Sequence, residues 1–347
     1  MTTALLPSTI TTVAASISFA DFPDSPDYEV TLDLVREAER IIRPYLPETP
    51  LLPSPALTER LGRPVLLKCE CQQRTGSFKV RGALARLSRL DARERARGVV
   101  AASAGNHGLG VAYACRQLGV PGLVVVPTTV AAVKRDALQE MMIKIRVHGA
   151  GYDEAEAHAR RLARESEATF VSPFDDPWVM AGNGGTVGLE IAQQLPDVSA
   201  VVTPLGGGGL AVGLAVALPG VPVVGVNSEA SPAMARTLAE RRVYLTYPAG
   251  TTIAEGLEGG VSPTSAALCA RHLHAVEVVR EASLRQAIGL MARRHGLVVE
   301  GSSAAAVAAL LEGKRPPGEG PVCVMLTGRN IDRERLELIL REGEGEG

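Results

Sequence analysis

Short runs of apolar residues alternate with amphipathic stretches along most of the chain. Eight such runs, most of them rich in β-branched residues, occupy residues 64–69, 98–103, 122–127, 143–148, 200–205, 221–226, 275–279 and 321–326. Between them, segments such as 153–167 and 283–296 repeat apolar residues at the spacing of an α-helix. Near-continuous apolar strands separated by helices are typical of parallel sheets that are covered on both faces. The pattern therefore predicts an α/β fold.

The composition narrows the class of protein. The 347 residues allow one large domain or two, and because aromatic residues make up only 3%, the packing must rest on Ala, Val and Leu. A net charge of −2 provides no basic face for nucleic acid, and no run of about 18 apolar residues indicates a membrane helix. An export signal requires basic residues near its start, but no Lys or Arg precedes Arg36. The five cysteines are scattered along the chain. We therefore expect a cytoplasmic protein with reduced thiols, bound neither to nucleic acid nor to a membrane.

Three glycine-containing loops follow or precede these predicted elements. They are "RTGSFK" (74–79), "SAGNHG" (103–108) and "LGGGGL" (205–210). In parallel sheets, ligands bind outside the carboxyl ends of the strands, where such loops turn into helices. We expect all three loops to face the same kind of crevice.

The loop 206–209 consists of four glycines that follow a strand and open a helix. Main-chain amides there can approach an anion closely, and the helix amino end adds positive partial charge, so a phosphate site is predicted. A plain strand-to-helix turn is the alternative. A third possibility is a dinucleotide site, because Gly206, Gly208 and Ala211 fit G-x-G-x-x-A and Glu229 follows about 20 residues later.

The loop "SAGNHG" offers free amides, the Ser103 hydroxyl and the Asn106 amide, which together could bind a carboxylate. Ser and Asn also favour capped turns, so a purely structural turn remains the alternative.

Lys79 stands out because lysine is rare in this chain. Of 36 basic residues only five are lysine, at positions 68, 79, 134, 144 and 314. The apolar residues after it follow helical spacing, which places Lys79 in the first turn of a helix. There the helix dipole and burial both favour the neutral amine, which arginine cannot provide, and a neutral lysine forms a Schiff base with an aldehyde. The alternative is a surface lysine lying beside Phe78.

Taken together, these segments resemble a known family. "LLKCECQQRTGSFKVRGA" (66–83) resembles the lysine segment of fold-type II pyridoxal-phosphate enzymes, in the threonine/serine dehydratase and serine racemase group. Further blocks resemble that group in the same order over about residues 40–335: "ASAGNHGLGVAYAC" (102–115), "DPWVMAGNGGTVGLEI" (176–191), "PLGGGGLAVG" (204–213), "TIAEGLEGG" (252–260) and "VMLTGRNID" (324–332).

The resemblance implies that Lys79 is the catalytic residue and holds pyridoxal 5'-phosphate as a Schiff base. It implies cofactor contacts for Phe78, Asn106, Gly206, Gly207, Gly208, Gly209, Leu210 and Thr327. It implies substrate contacts for Ser103, Ala104, Gly105, Asn106 and His107. Thr327 would face the pyridine nitrogen, and Glu300 would lie near the cofactor. No metal ligand is predicted, because only Glu229 is available where some relatives bind a cation.

The fold implied is tryptophan synthase beta-like, with two domains that are each a mostly parallel twisted sheet flanked by helices. The predicted division is a tail at 1–28, a large domain at 29–97 plus 173–340, a small mobile domain at 98–172 and a disordered tail at 341–347. A homodimer is expected.

The implied activity is β-elimination from L-threonine or L-serine. The alternatives are a serine racemase, a dehydratase of another 3-hydroxyamino acid such as threo-3-hydroxyaspartate, a nicotinamide-dependent oxidoreductase, or a non-catalytic amino-acid sensor. Serine racemases usually carry a serine where this chain has Ala104, which favours dehydration. A sensor would not need Lys79.

Overall fold

The computed structural model describes residues 12–14, 27–103, 105–130 and 132–342. The strands are β1 (Thr12–Ala14), β2 (Leu51–Pro53), β3 (Val65–Cys69), β4 (Val99–Ala102), β5 (Gly122–Val126), β6 (Lys144–Val147), β7 (Thr169–Phe170), β8 (Ala200–Pro204), β9 (Val223–Ser228), β10 (Ala275–Val279) and β11 (Val322–Leu326). The helices are α1 (Leu32–Ile42), α2 (Pro55–Leu61), α3 (Lys79–Ser88), α4 (Ala92–Arg97), α5 (Asn106–Leu118), α6 (Ala132–Glu140), α7 (Tyr152–Glu165), α8 (Pro177–Met180), α9 (Thr186–Gln194), α10 (Gly209–Ala217), α11 (Ala233–Glu240), α12 (Pro263–His272), α13 (Glu281–His295), α14 (Gly301–Leu311) and α15 (Arg333–Glu342).

Seven strands form the larger sheet, in the order β1-β10-β9-β8-β11-β3-β2. Its five central strands are parallel, whereas β1 and β2 pair antiparallel at the two edges. Every residue of β8, β9 and β11 is buried. Helices therefore cover both faces of the sheet, which explains why these strands read as continuous apolar runs.

The other four strands form a separate parallel sheet, in the order β6-β5-β4-β7. It lies within residues 99–170, inside the predicted small domain at 98–172. All eight strands expected from the apolar runs are confirmed, with ends shifted by at most two residues. The mixed α/β architecture with parallel sheets is thereby confirmed, while the division into two domains stays a prediction.

Three short strands, β1, β2 and β7, were not predicted. They contain two or three residues each, too few to show a period, and β1 falls in the predicted tail. The rest of that tail up to residue 26, and residues 343–347, lie outside the described residues. No helix in the described part of the chain is both long and apolar enough to cross a bilayer.

A cluster of four charged residues lies buried beside α3, and we call it the α3 charge cluster: Lys68, Glu70, Arg81 and Glu190. The Arg81 guanidinium donates to Glu70 and to Glu190 at 2.8 Å, and the Lys68 Nζ lies 2.6 Å from the Glu190 carboxylate. Because two cations face two carboxylates, each buried charge has an opposite partner. The cluster ties α3 to β3 and α9.

Candidate active site

Lys79 is the first residue of α3, as predicted. The turn before it contains Gly76 at a φ of +75°, a left-handed conformation that favours glycine. The Phe78 amide then donates to the Thr327 carbonyl at 3.1 Å, directly after β11. The lysine is thus held at the carboxyl end of a central strand of the larger sheet.

The Lys79 amine faces a neutral acceptor. Its Nζ donates to the Pro173 carbonyl oxygen at 2.8 Å and lies 5.1 Å from the centre of the Phe78 ring. Burial lowers the pKa of Lys79 from 10.5 to about 8, although the Glu300 carboxylate acts in the opposite direction. The amine therefore loses its proton much more readily than an ordinary lysine.

The glycine loop follows β8 and opens α10. Gly208 has a φ of +93°, and a Cβ added to Gly207 would overlap the Phe174 ring. A Cβ on Gly209 would lie 2.8 Å from the Phe174 carbonyl oxygen. Only glycine fits this bend, whose main-chain amides stand at the amino end of a nine-residue helix. Leu210 is buried in the first turn.

The predicted carboxylate loop follows β4 in the smaller sheet. The Ser103 hydroxyl accepts a hydrogen bond from the Gly105 amide at 3.1 Å, and α5 begins at Asn106. The buried His107 donates from Nε2 to the Val171 carbonyl at 2.9 Å. Its burial, together with the charge on Lys79, lowers the pKa of His107 to about 3, so the imidazole is neutral. Ala104 lies outside the described residues.

Residues 171–175, which we call the site strap, touch all three loops. The Val171 carbonyl binds His107, the Pro173 carbonyl binds Lys79, and Phe174 lies against the glycine loop. Asp175 accepts a hydrogen bond from the Tyr28 hydroxyl at 2.7 Å. Sequence reasoning assigned no role to the strap. The strap is thus a common neighbour of the three loops, which supports the expectation that they face a crevice together.

Glu300 lies beside Asn106, near Lys79. The Asn106 Nδ2 donates to Glu300 Oε1 at 2.7 Å, and the Asn106 Oδ1 accepts from Asn330 Nδ2 at 2.6 Å. Burial raises the pKa of Glu300 to about 7, although Asn106 and Lys134 favour its charged form. Asn330 was not predicted as a site residue, although it falls within the quoted block 324–332.

The Glu229 carboxylate, which the dinucleotide alternative required, accepts a hydrogen bond from the Glu281 amide at 2.9 Å at the start of α13. Among the described residues, no group of three or more His, Cys, Asp or Glu side chains is placed to hold a metal ion.

Comparison with known proteins identifies the family. Residues 42–328 match the family model described as "Pyridoxal-phosphate dependent enzyme". The chain belongs to this family. It is 37% identical over 315 residues to an L-threonine ammonia-lyase of Geobacter sulfurreducens, covering 89% of this chain and 78% of that protein. The family assignment decides against the nicotinamide-dependent alternative.

Solved structures give the same result. The processed form of threonine deaminase isoform 2 from Solanum lycopersicum superposes with a TM-score of 0.84 at 30% identity, covering 97% of this chain and 99% of the other. A maize serine racemase superposes with a TM-score of 0.85 at 28% identity, covering 92% and 99%. The resemblance seen in the sequence, and with it the fold type, is confirmed.

The residues present fit pyridoxal phosphate. Residues 206–209 carry no side chains and lead into the amino end of α10, where main-chain amides favour a phosphate. The Lys79 amine, hydrogen-bonded to a neutral carbonyl, suits an aldehyde. The buried Ser77 hydroxyl, in the turn before Lys79, has no hydrogen-bond partner among the described residues.

Proposed function

We propose that this enzyme removes the β-hydroxyl group of L-threonine or L-serine, releasing a 2-oxo acid and ammonia. The observation that carries the proposal is the environment of Lys79. This residue begins α3, and its amine donates to a neutral carbonyl and has a pKa of about 8. The relatives support the substrate class, since the one named L-threonine ammonia-lyase is 37% identical and the one named threonine deaminase is 30% identical.

In this proposal the chain holds the cofactor at three points. Bound pyridoxal phosphate supplies an aldehyde that condenses with amines and a ring that withdraws electrons from Cα. The glycine loop would bind its phosphate, and Asn106 would donate to its ring hydroxyl. Thr327 would offer the ring nitrogen a hydroxyl instead of a carboxylate, so the chain supplies no negative charge to hold a proton there. A ring nitrogen that is not held in its protonated form favours elimination.

Lys79 would move the proton in this reaction. With a pKa of about 8, the amine lacks its proton in part of the molecules near neutral pH and can take one from the substrate Cα. The loop 103–107 would bind the substrate carboxylate through amides at the start of α5. The neutral His107, oriented by the Val171 carbonyl, would shape this loop without adding charge.

The experiment loads purified protein with pyridoxal phosphate and offers L-threonine, L-serine and threo-3-hydroxyaspartate. We expect 2-oxo acid and ammonia in equal amounts from threonine or serine, and no product from Lys79→Ala. Chiral chromatography of the remaining serine measures racemisation, which we expect to be slower than elimination because Ala104 offers no acid. Full turnover by Lys79→Ala would refute the site, and D-serine as the main product would refute dehydration.

The two separate sheets support a division into the domains predicted from the sequence, 29–97 plus 173–340 and 98–172. The homodimer and the cytoplasmic location stay predictions.

A further inference from the structure

A chain of four hydrogen-bonded groups runs from a main-chain carbonyl to the candidate site. The Asn330 Nδ2 lies 2.9 Å from the Thr75 carbonyl oxygen and 2.6 Å from Asn106 Oδ1. The Asn106 Nδ2 in turn lies 2.7 Å from Glu300 Oε1. We call these groups the amide relay: Thr75, Asn330, Asn106 and Glu300. They come from four separate segments of the chain.

The Thr75 carbonyl determines the direction of every bond in the amide relay. A carbonyl only accepts hydrogen bonds, so Asn330 must turn its NH₂ group towards it. The second N–H of that group points at Asn106, which must therefore present its oxygen. The Asn106 NH₂ group then faces Glu300. Within the described part of the chain, its second N–H has no hydrogen-bond partner.

Two glycines leave the space that this arrangement needs. A Cβ on Gly76 would lie 2.6 Å from Asn330 Oδ1, and one on Gly328 would lie 2.7 Å from Glu300 Oε1 and 3.2 Å from Asn106 Nδ2. The Glu300 amide also donates to the Gly328 carbonyl at 3.0 Å. The amide relay is thus enclosed by main chain on both sides, which restricts rotation of its side chains.

We propose that Asn330 is a positioning residue, which orients the Asn106 amide so that its free N–H, and not its oxygen, is available to the ring hydroxyl of the cofactor. This inference rests on the site proposed above. Asn330 itself need touch neither cofactor nor substrate. It acts by fixing which end of the Asn106 amide faces Glu300.

Asn330→Asp tests this role, because a carboxylate cannot donate to Thr75 or to Asn106. The Asn106 amide must then rotate to donate to the new carboxylate at position 330, which turns the Asn106 oxygen towards Glu300. We expect about a tenfold or greater loss of kcat, equal to about 1.4 kcal/mol, with a smaller change in KM. We also expect a shift in the visible absorption maximum of the bound cofactor and in the pH at which that band titrates.

The double variant Asn330→Asp/Glu300→Gln separates positioning from folding. The new glutamine can donate to the rotated Asn106 oxygen, so the bond between these two side chains is restored with its direction reversed. We expect the thermal stability to return towards that of the wild type while the absorption band and kcat stay altered. If the absorption band and kcat of the double variant recovered together with its stability, Asn330 would have only a structural role and the proposal would be overturned. An unchanged absorption band and kcat in Asn330→Asp would overturn it as well.

The absorption band distinguishes this proposal from the proposed function. It is measured without substrate, so a shifted band in Asn330→Asp supports the positioning role even if no hydroxyamino acid is converted by the wild type. A wild type that forms no visible band with pyridoxal phosphate would refute the site itself.

Discussion

The α3 charge cluster and the candidate site lie on opposite faces of one helix. Arg81 and Lys79 are two residues apart in α3, so their side chains point in directions that differ by about 200°. In the charge cluster every cation meets a carboxylate at 2.6–2.8 Å. In the candidate site the titratable groups meet neutral partners: Lys79 faces a carbonyl, His107 faces a carbonyl and Glu300 faces an amide.

The difference shows two ways in which a protein accommodates ionisable groups out of water. Pairing offsets each buried charge with an opposite one and connects α3 to β3 and α9. Burial without a directly paired opposite charge instead shifts each pKa towards the uncharged form, to about 8 for Lys79, about 3 for His107 and about 7 for Glu300. The charge on Lys79 adds to the shift of His107. The second arrangement is the one that suits proton transfer near neutral pH.

The same substitution at two lysines tests this contrast most strongly. Lys79→Arg should lower turnover at least about a thousandfold, because a guanidinium neither forms a Schiff base nor loses its proton. Lys68→Arg should keep wild-type turnover per folded molecule and cost about 1–3 kcal/mol of unfolding free energy through overpacking. Turnover of the cofactor-loaded proteins and urea unfolding measure the two effects. An equal loss of turnover per folded molecule in both variants would contradict the contrast.

Removing a partner from the α3 charge cluster should cost stability. Arg81→Met removes the cation that pairs with the buried Glu70 and leaves Glu190 with Lys68 and the more distant Arg43. We expect a loss of about 3–5 kcal/mol in the free energy of unfolding. The control is Arg86→Met on the same helix, whose partner Asp176 is partly exposed, with an expected loss of about 1 kcal/mol. Similar losses in the two variants would show that the buried pairing does not stabilise α3.

The lowered pKa of Lys79 predicts a specific pH dependence in the cofactor-free protein. The rate of Lys79 acylation, measured by mass spectrometry, should rise about tenfold per pH unit and level off above a pH of about 8. With a pKa of 10.5, the rate would continue to rise beyond pH 10. Between pH 8 and 10.5 the unfolded chain binds a proton that folded Lys79 lacks. Stability relative to Lys79→Met should therefore increase with pH across that window. A labelling midpoint near 10.5 would contradict the shift.

Much of the fold could be predicted because buried parallel strands leave a strong local signal. Seven of the eight main strands are largely apolar runs that stand between helices, whereas β6 (Lys144–Val147) alternates charged and apolar residues and is mostly exposed. The strands β1, β2 and β7 give no such signal, since hydrogen bonding to a neighbouring strand and not their own pattern defines them.

The candidate site was predictable only where its residues sit in motifs. Lys79 and the glycine loop can be recognised in the sequence from their composition and spacing. Asn330 meets Asn106 from 224 positions away, and Lys79 meets the Pro173 carbonyl from 94 positions away. No local pattern encodes such contacts, and a main-chain acceptor leaves no trace in residue type. The same reason hid the burial of Lys68, whose partner Glu190 is 122 positions distant.

The site strap gives the three loops a common neighbour. Any ligand that displaces the strap at one loop alters the surroundings of the other two, through the carbonyls of Val171 and Pro173 and the ring of Phe174. Thermodynamic linkage then makes the effect mutual. If a ligand at the glycine loop changes the affinity of the loop 103–107 by some factor, a ligand at the loop 103–107 changes the affinity of the glycine loop by the same factor.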